Sequence, residues 1–474
     1  MSTLKIILKN TGWQLFANIL NNLFSLILLV YLARGLGEIE FGKYSFANSF
    51  IQIFIVMADL GLSLLTIREV AKENKKASKY LGNFTILKIL LSLCALSAII
   101  VIINLLTYQA STVRVVYVLS VYFIFTSLST FFRCIMNAFE KMEYDATLSL
   151  FEKFITVALC FIFLKSGYGL IPISYAFLTG GTIGLIMSFV FVVKKFVKPD
   201  FHIDLSFWKV SLKDAFPFAL GSVFVMIYSY IDQVMLSLMK GDAAVGWYNA
   251  SFSLVNNVTI LASVFMSAAY PTFSRLFRDS QESLKVVYER SFKYLLILGL
   301  PIAVGGMILA ERIIILLYGN EYLPSVAAFR ILIWAAFPSH LCYLFSTFLN
   351  SINKQGTNLL FIIISTIANI LINLILIPQF SYLGAGIATL LSEIILFFLW
   401  IWYLSRSKYR FLPIRLFTKV IVANGIMSMI ILLLFKTGII FLVAIGVIAY
   451  CMSLYALGCI DDEDRRIIKE ILGK

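Results

Sequence analysis

Apolar sequence returns so regularly along this chain that almost nothing is left over to build a soluble domain. From Trp13 to Gly458 it reads as fourteen apolar runs of about 20 residues, each long enough to cross roughly 30 Å of hydrocarbon as a helix. The predicted spans are 11–33, 44–67, 82–107, 115–132, 147–164, 169–193, 215–238, 248–270, 294–317, 326–349, 358–378, 383–404, 417–436 and 438–458. With 61% hydrophobic and only 14% charged residues, the 474-residue chain is predicted to be an all-α polytopic membrane protein rather than two or three globular domains.

The formal net charge of +14 invites a nucleic-acid reading, but the positions of the charges argue against it. Basic residues fill alternate loops: 29 of them, as in Arg68–Lys79, Lys194–Lys213, Arg275–Lys293 and Arg406–Lys419, against six on the opposite side. That asymmetry predicts a cytoplasmic N-terminus and C-terminus and an even number of spans. The first run carries Asn18, Asn21 and Asn22 and ends at Tyr31-Leu32-Ala33-Arg34 without a cleavage signal, so it is expected to stay as the first span. The six cysteines include no CxxC pair and read as small buried hydrophobes. Two histidines, His202 and His340, and no P-loop lead us to expect no metal site, no cofactor and no ATP hydrolysis.

A repeat runs at an offset of about 204 residues. Gly37, Gly42 and Tyr44 correspond to Gly241, Gly246 and Tyr248, and the stripe Ser45, Ser49, Gln52, Ser63 corresponds to Asn249, Ser253, Asn256, Ser267. Six spans separate the copies, so both have the same orientation in the membrane. The expected organisation is a six-helix lobe at 1–200, a second at 201–405, two additional spans at 406–458 and a cytoplasmic tail at 459–474.

The segments YLARGLGEIEFGKYSFA, MADLGLSLLTIREVAK, NAFEKMEYDA, YSYIDQVMLSLMKGDAAVGWYNA, AAYPTFSRL, LLYGNEYLPS and YLGAGIATLLSE fall in one order and one set of topological places. In these the chain resembles the polysaccharide transporter family, the Wzx-type O-antigen and exopolysaccharide flippases of the multidrug/oligosaccharidyl-lipid/polysaccharide exporter superfamily. The resemblance covers nearly the whole chain. It implies a cell-membrane flippase that moves an isoprenoid-diphosphate-linked glycan from the inner to the outer leaflet by alternating access. A polysaccharide polymerase and glycosyltransferases are the protein partners it implies. The alternatives are a lipid II flippase or a multidrug/cation antiporter of the same superfamily; short outer loops count against a glycosyltransferase or polysaccharide ligase.

Polar residues inside the runs are the candidate site, because each charge at the bilayer centre costs about 2.5–3.5 kcal/mol unless it is paired, protonated or facing water. Lys88, Lys153, Arg34, Arg312 and Arg330 are the cations for a diphosphate, with snorkelling to headgroups as the alternative. Asn18, Asn22, Gln52 and Asn256 are the amides for sugar hydroxyls, with interhelical bonding as the alternative. Asp59, Asp232, Glu393 and His340 are candidates for ion coupling or charge pairing. Pro217, Pro271, Pro301 and Pro338 mark expected kinks.

Overall fold

The computed structural model describes residues 3–410, 413–460 and 464. The expected tail at 459–474 therefore lies outside the described residues, apart from Cys459, Ile460 and Asp464. Among those described there are thirteen α-helices and no strand. They are α1 (Thr3–Ile55), α2 (Leu62–Lys72), α3 (Ala77–Leu105), α4 (Ala110–Ala138), α5 (Met142–Lys165), α6 (Leu170–Lys195) and α7 (Leu205–Lys240), followed by α8 (Asp242–Asp279), α9 (Gln281–Tyr318), α10 (Leu323–Ser351), α11 (Gln355–Ser405), α12 (Ile414–Leu433) and α13 (Ile439–Ala456).

Helices of 53 and 51 residues are too long for one crossing, since a bilayer core takes about 20. Both are broken: α1 has non-helical dihedrals at Gly37 (φ 73°, ψ 171°) and α11 at Ser381 (φ 53°, ψ −133°). Among the described residues twelve helical stretches are long and apolar enough to span, and α1 and α11 each divide between two of the fourteen predicted spans. Pro271, Pro301 and Pro338 lie inside α8, α9 and α10, where the helix runs on through them.

The predicted span 44–67 is interrupted. After a 3-10 turn at Val56–Ala58 the chain turns through Leu60 (φ 44°) and Gly61 (φ 79°) before α2 begins. Gly61 is tightly enclosed as well as left-handed: a Cβ there would lie 2.9 Å from Phe218 Cβ and 3.0 Å from the Ala215 carbonyl.

Two compact units partition the chain: residues 1–250 with 370–382, and residues 251–369 with 383–474. In the first, α4 packs on α6 and α5 packs on α1 and α6, around a core that includes Leu65, Leu81, Phe84, Phe131 and Ile135. Gly180 and Gly184 of α6 press against Thr156 and Glu152 of α5, a small-residue contact between helices. In the second, α9 packs on α10, and α12 packs on α13 and α9.

The repeat has a structural counterpart inside the first unit. Gly241 (φ 84°, ψ −177°) repeats the conformation of Gly37. A Cβ on Gly42 would strike the Asp242 carbonyl, and one on Gly246 would strike the Glu38 carbonyl. These are reciprocal contacts between equivalent positions, as a local pseudo-two-fold requires. Near its axis the equivalent residues Ser45 and Asn249 meet each other, the amide donating to Ser45 Oγ at 2.7 Å. Gly42→Ala is expected to destabilise the protein by about 1–3 kcal/mol through overpacking against backbone. The check is the melting temperature of the detergent-purified variant.

The basic stretch between α6 and α7 is fastened to α3. Asn83, almost fully buried, donates to the His202 carbonyl at 2.9 Å, and its Oδ1 accepts from Asp204 N and Trp208 Nε1, both at 3.0 Å. Asp204 caps α7 by accepting from Phe207 N at 2.9 Å and pairs with Lys79 at 2.7 Å. The Lys79 hydrogen bond, with those from Ser206 and the Phe207 amide, holds this carboxyl well below the usual range.

Candidate functional site

In the first unit a cavity of about 220 Å³ opens among α1, α4 and α5. It is lined by Asn21, Asn22 and Ser25 of α1, by Tyr122, Thr126 and Arg133 of α4, and by Ser149, Glu152, Lys153 and Thr156 of α5. The spacing explains the lining: 21, 22 and 25 share one face of α1, and 149, 152, 153 and 156 share one face of α5. Asn21 donates to Ser149 Oγ at 3.3 Å, and Asn22 donates to the Asn18 carbonyl at 2.8 Å.

Arg133 organises one wall. The predicted span ended at 132 and left this arginine in a loop; α4 continues to Ala138 and buries it. Its Nη1 donates to Glu152 Oε2 at 2.6 Å and to Ser129 Oγ at 2.7 Å, while its Nε donates to Asp145 Oδ1 at 3.0 Å. Asn137 supplies the other Asp145 oxygen with a bond of 2.9 Å. Both acids are thereby engaged by one guanidinium. Lys153, half-buried beside them, makes no hydrogen bond or ion pair among the described residues. A cavity with amides, hydroxyls and one ammonium lacking a bonded acceptor is chemically suited to a phosphate oxygen.

Lys88 is placed differently. It is fully buried on α3 and forms an ion pair with Asp59, at the break before α2. Ser63 Oγ also donates to Asp59, Ser127 Oγ accepts from Lys88 at 3.3 Å, and the ammonium lies 5.4 Å from the Phe131 ring centroid. Elsewhere in the unit Asp232 is buried, accepting from Tyr248 Oη at 2.8 Å and from Asn373 Nδ2 at 2.5 Å. Gln52 is half-buried, and Asn18 and Arg34 are exposed.

The remaining candidates lie in the second unit. Arg312 donates to the Phe435 and Thr437 carbonyls just beyond α12, with its guanidinium 4.3 Å from the Phe435 ring centroid, which is a C-terminal capping arrangement. Arg330 and Asn256 are exposed. His340 is fully buried on α10, with Nδ1 2.6 Å from the Ala336 carbonyl. Glu393 is half-buried on α11, beside Cys342. Of the sequence candidates, the structure therefore brings Lys153 and Asn22 to one cavity and Asp59 to Lys88. Arg133, Asp145, Tyr122 and Ser149 were not singled out from sequence. The available signal was Glu152, an acid in an apolar run that needed a partner one helix away.

Comparison with known proteins gives matches along the whole chain. The polysaccharide biosynthesis protein family matches residues 7–277, and the MatE family matches residues 217–375. The "Probable low-salt glycan biosynthesis flippase Agl15" of Haloferax volcanii is 22% identical over 81% of this chain and 81% of its own length. The "Putative O-antigen transporter" of Shigella dysenteriae is 25% identical over 64% of this chain and 75% of its own. The lipid II flippase MurJ, in an inward closed conformation, superposes with a TM-score of 0.77 at 16% identity, over 97% of this chain and 99% of that one. At that identity the likeness is one of fold.

Proposed function

The chain belongs to the polysaccharide biosynthesis protein family, and from that premise we propose that it is a flippase carrying an isoprenoid-diphosphate-linked glycan precursor from the inner to the outer leaflet. The isoprenoid stays in lipid throughout. The diphosphate and sugar must cross about 30 Å of hydrocarbon, so the protein has to supply polar surface for both. The observation that carries the reading is Lys153, an ammonium without a bonded acceptor in a cavity of amides and hydroxyls. In the proposed cycle it takes a diphosphate oxygen, while Asn21, Asn22, Tyr122 and Thr126 exchange hydrogen bonds with sugar hydroxyls. Arg133, Asp145 and Glu152 keep the α4 and α5 faces of the cavity in register.

The moving bodies in this reading are the lobes at 1–200 and 201–405, with 406–458 as an added pair of spans. Both termini are cytoplasmic, the membrane is the cell membrane, and glycosyltransferases and a polymerase act before and after it. Asp59 is assigned to charge pairing, and Asp232, Glu393 and His340 are the candidates for coupling to H⁺ or Na⁺. An inside-negative potential favours the outward step, by roughly 4–5 kcal/mol per 100 mV for a dianionic head.

A drug/cation antiporter would bind its cargo with an available carboxylate. Glu152, the acid among the described residues that line the Lys153 cavity, is already bonded to Arg133, which favours an anionic cargo there. The test is reconstitution in proteoliposomes, comparing a fluorescent isoprenoid-diphosphate oligosaccharide with an organic cation dye. Protein-dependent movement of the glycan lipid alone is expected. Movement of the dye alone would overturn the proposal.

A further inference from the structure

Lys153 has an acid beside it in the chain, and the two do not pair. Neighbours on a helix are able to do so: Arg68 and Glu69 of α2 form an ion pair at 2.8 Å. Coulomb attraction in a partly buried cavity favours the same between Lys153 and Glu152, and such a pair would close the ammonium to any other anion. Glu152 is held elsewhere. Its Oε2 accepts from Arg133 Nη1 at 2.6 Å and from Ser129 Oγ at 2.9 Å, and Ser129 Oγ lies 3.0 Å from Ser188 Oγ of α6. Helix α6 also makes the room, since a Cβ on Gly184 would strike the Glu152 side chain. The guanidinium is itself aimed: its Nε donates to Asp145 Oδ1 at 3.0 Å and its Nη2 to Thr130 Oγ1 at 3.2 Å, which leaves Nη1 for Glu152.

We infer that Arg133 is a specificity-determining positioning residue, which holds Glu152 away from Lys153 and so keeps the ammonium open to an anionic head. The inference rests on the proposed function and adds to it the reason that this cavity selects an anion. Arg133 and Lys153 face one acid, Glu152, among the described residues of the lining. Loss of Arg133 therefore takes the lining from one net positive charge to none, and it frees a carboxylate one residue away from Lys153. The consequence differs from that of a pair that only holds helices together. If the pair were structural alone, substitution of either member would weaken binding of the anion. If Arg133 sequesters Glu152, the two substitutions act in opposite directions.

The test is the affinity of the detergent-purified, full-length protein for farnesyl diphosphate, with farnesol as the uncharged control. Glu152→Gln should bind the diphosphate about threefold or more tightly than wild type, because a nearby negative charge is gone. Its amide oxygen still accepts from Arg133 and Ser129, so the fold is spared. Arg133→Gln should bind about tenfold or more weakly, and adding Lys153→Gln to it should cost little more, since the ammonium is already taken by Glu152. Arg133→Gln together with Glu152→Gln should return to within about threefold of wild type. Where Arg133→Gln alone does not fold, Glu152→Gln and the double variant decide. Equal or weaker binding by Glu152→Gln, or no recovery in the double variant, would overturn the inference. A wild type that binds farnesol as well as the diphosphate would instead overturn the proposed function, and the inference with it.

Discussion

Lys153→Gln is expected to slow translocation of a diphosphate-linked glycan by about 10- to 100-fold, the loss of one charge-assisted hydrogen bond of roughly 1.5–3 kcal/mol. Folding should be spared, because no protein acceptor loses its donor and a partly buried charge is removed. Lys153→Arg keeps the charge and should retain most of the rate. The measurement is the initial flipping rate in proteoliposomes, normalised to folded protein. A wild-type rate in Lys153→Gln would remove the lysine from the mechanism.

The second large effect is on stability. Lys88→Ala leaves Asp59 at a helix break without its cation, and Asp59→Asn leaves a fully buried ammonium with only hydroxyl and aromatic neighbours. Breaking a buried pair costs about 3–5 kcal/mol, a large share of the roughly 5–15 kcal/mol that holds a typical protein folded. Asp59→Asn, which strands the fully buried ammonium, should cost more than Lys88→Ala, because the Asp59 side chain is 30% exposed. Removing both charges together, as Lys88→Met with Asp59→Asn, should recover much of that loss. Melting temperatures of the purified variants decide it. If Lys88→Ala melts like wild type yet stops transport, the lysine acts on the substrate instead.

Span number was legible because period and length are properties of each run alone, and both long helices divide between predicted spans, at Gly37 and at Ser381. The repeat was legible for a similar reason. Gly42 and Gly246 are glycines because backbone approaches each of them closely, a local demand that leaves a mark in sequence. The break at Leu60 and Gly61 was not, since apolar residues continue through it and the turn depends on the close approach of Phe218 and Ala215.

Candidate residues divide the same way. A lone charge in an apolar run says that a partner or water is near, not which. Lys88 and Lys153 looked alike at about one and a half turns inside their spans. Only packing distinguishes them: α3 turns Lys88 toward Asp59, while α5 turns Lys153 into a cavity beside acids already bonded to Arg133. Arg312 likewise read as a cation near a span end, and its partners are backbone carbonyls that no side-chain pattern records.

Binding of a short-chain isoprenoid diphosphate to the detergent-purified protein tests most directly whether the Lys153 cavity takes the anionic head. The wild type should bind it and discriminate against the corresponding alcohol. Lys153→Gln should bind it about tenfold or more weakly, and Lys153→Arg nearly as well as wild type. Equal affinity in wild type and Lys153→Gln, or equal affinity for the diphosphate and the alcohol, would contradict the account.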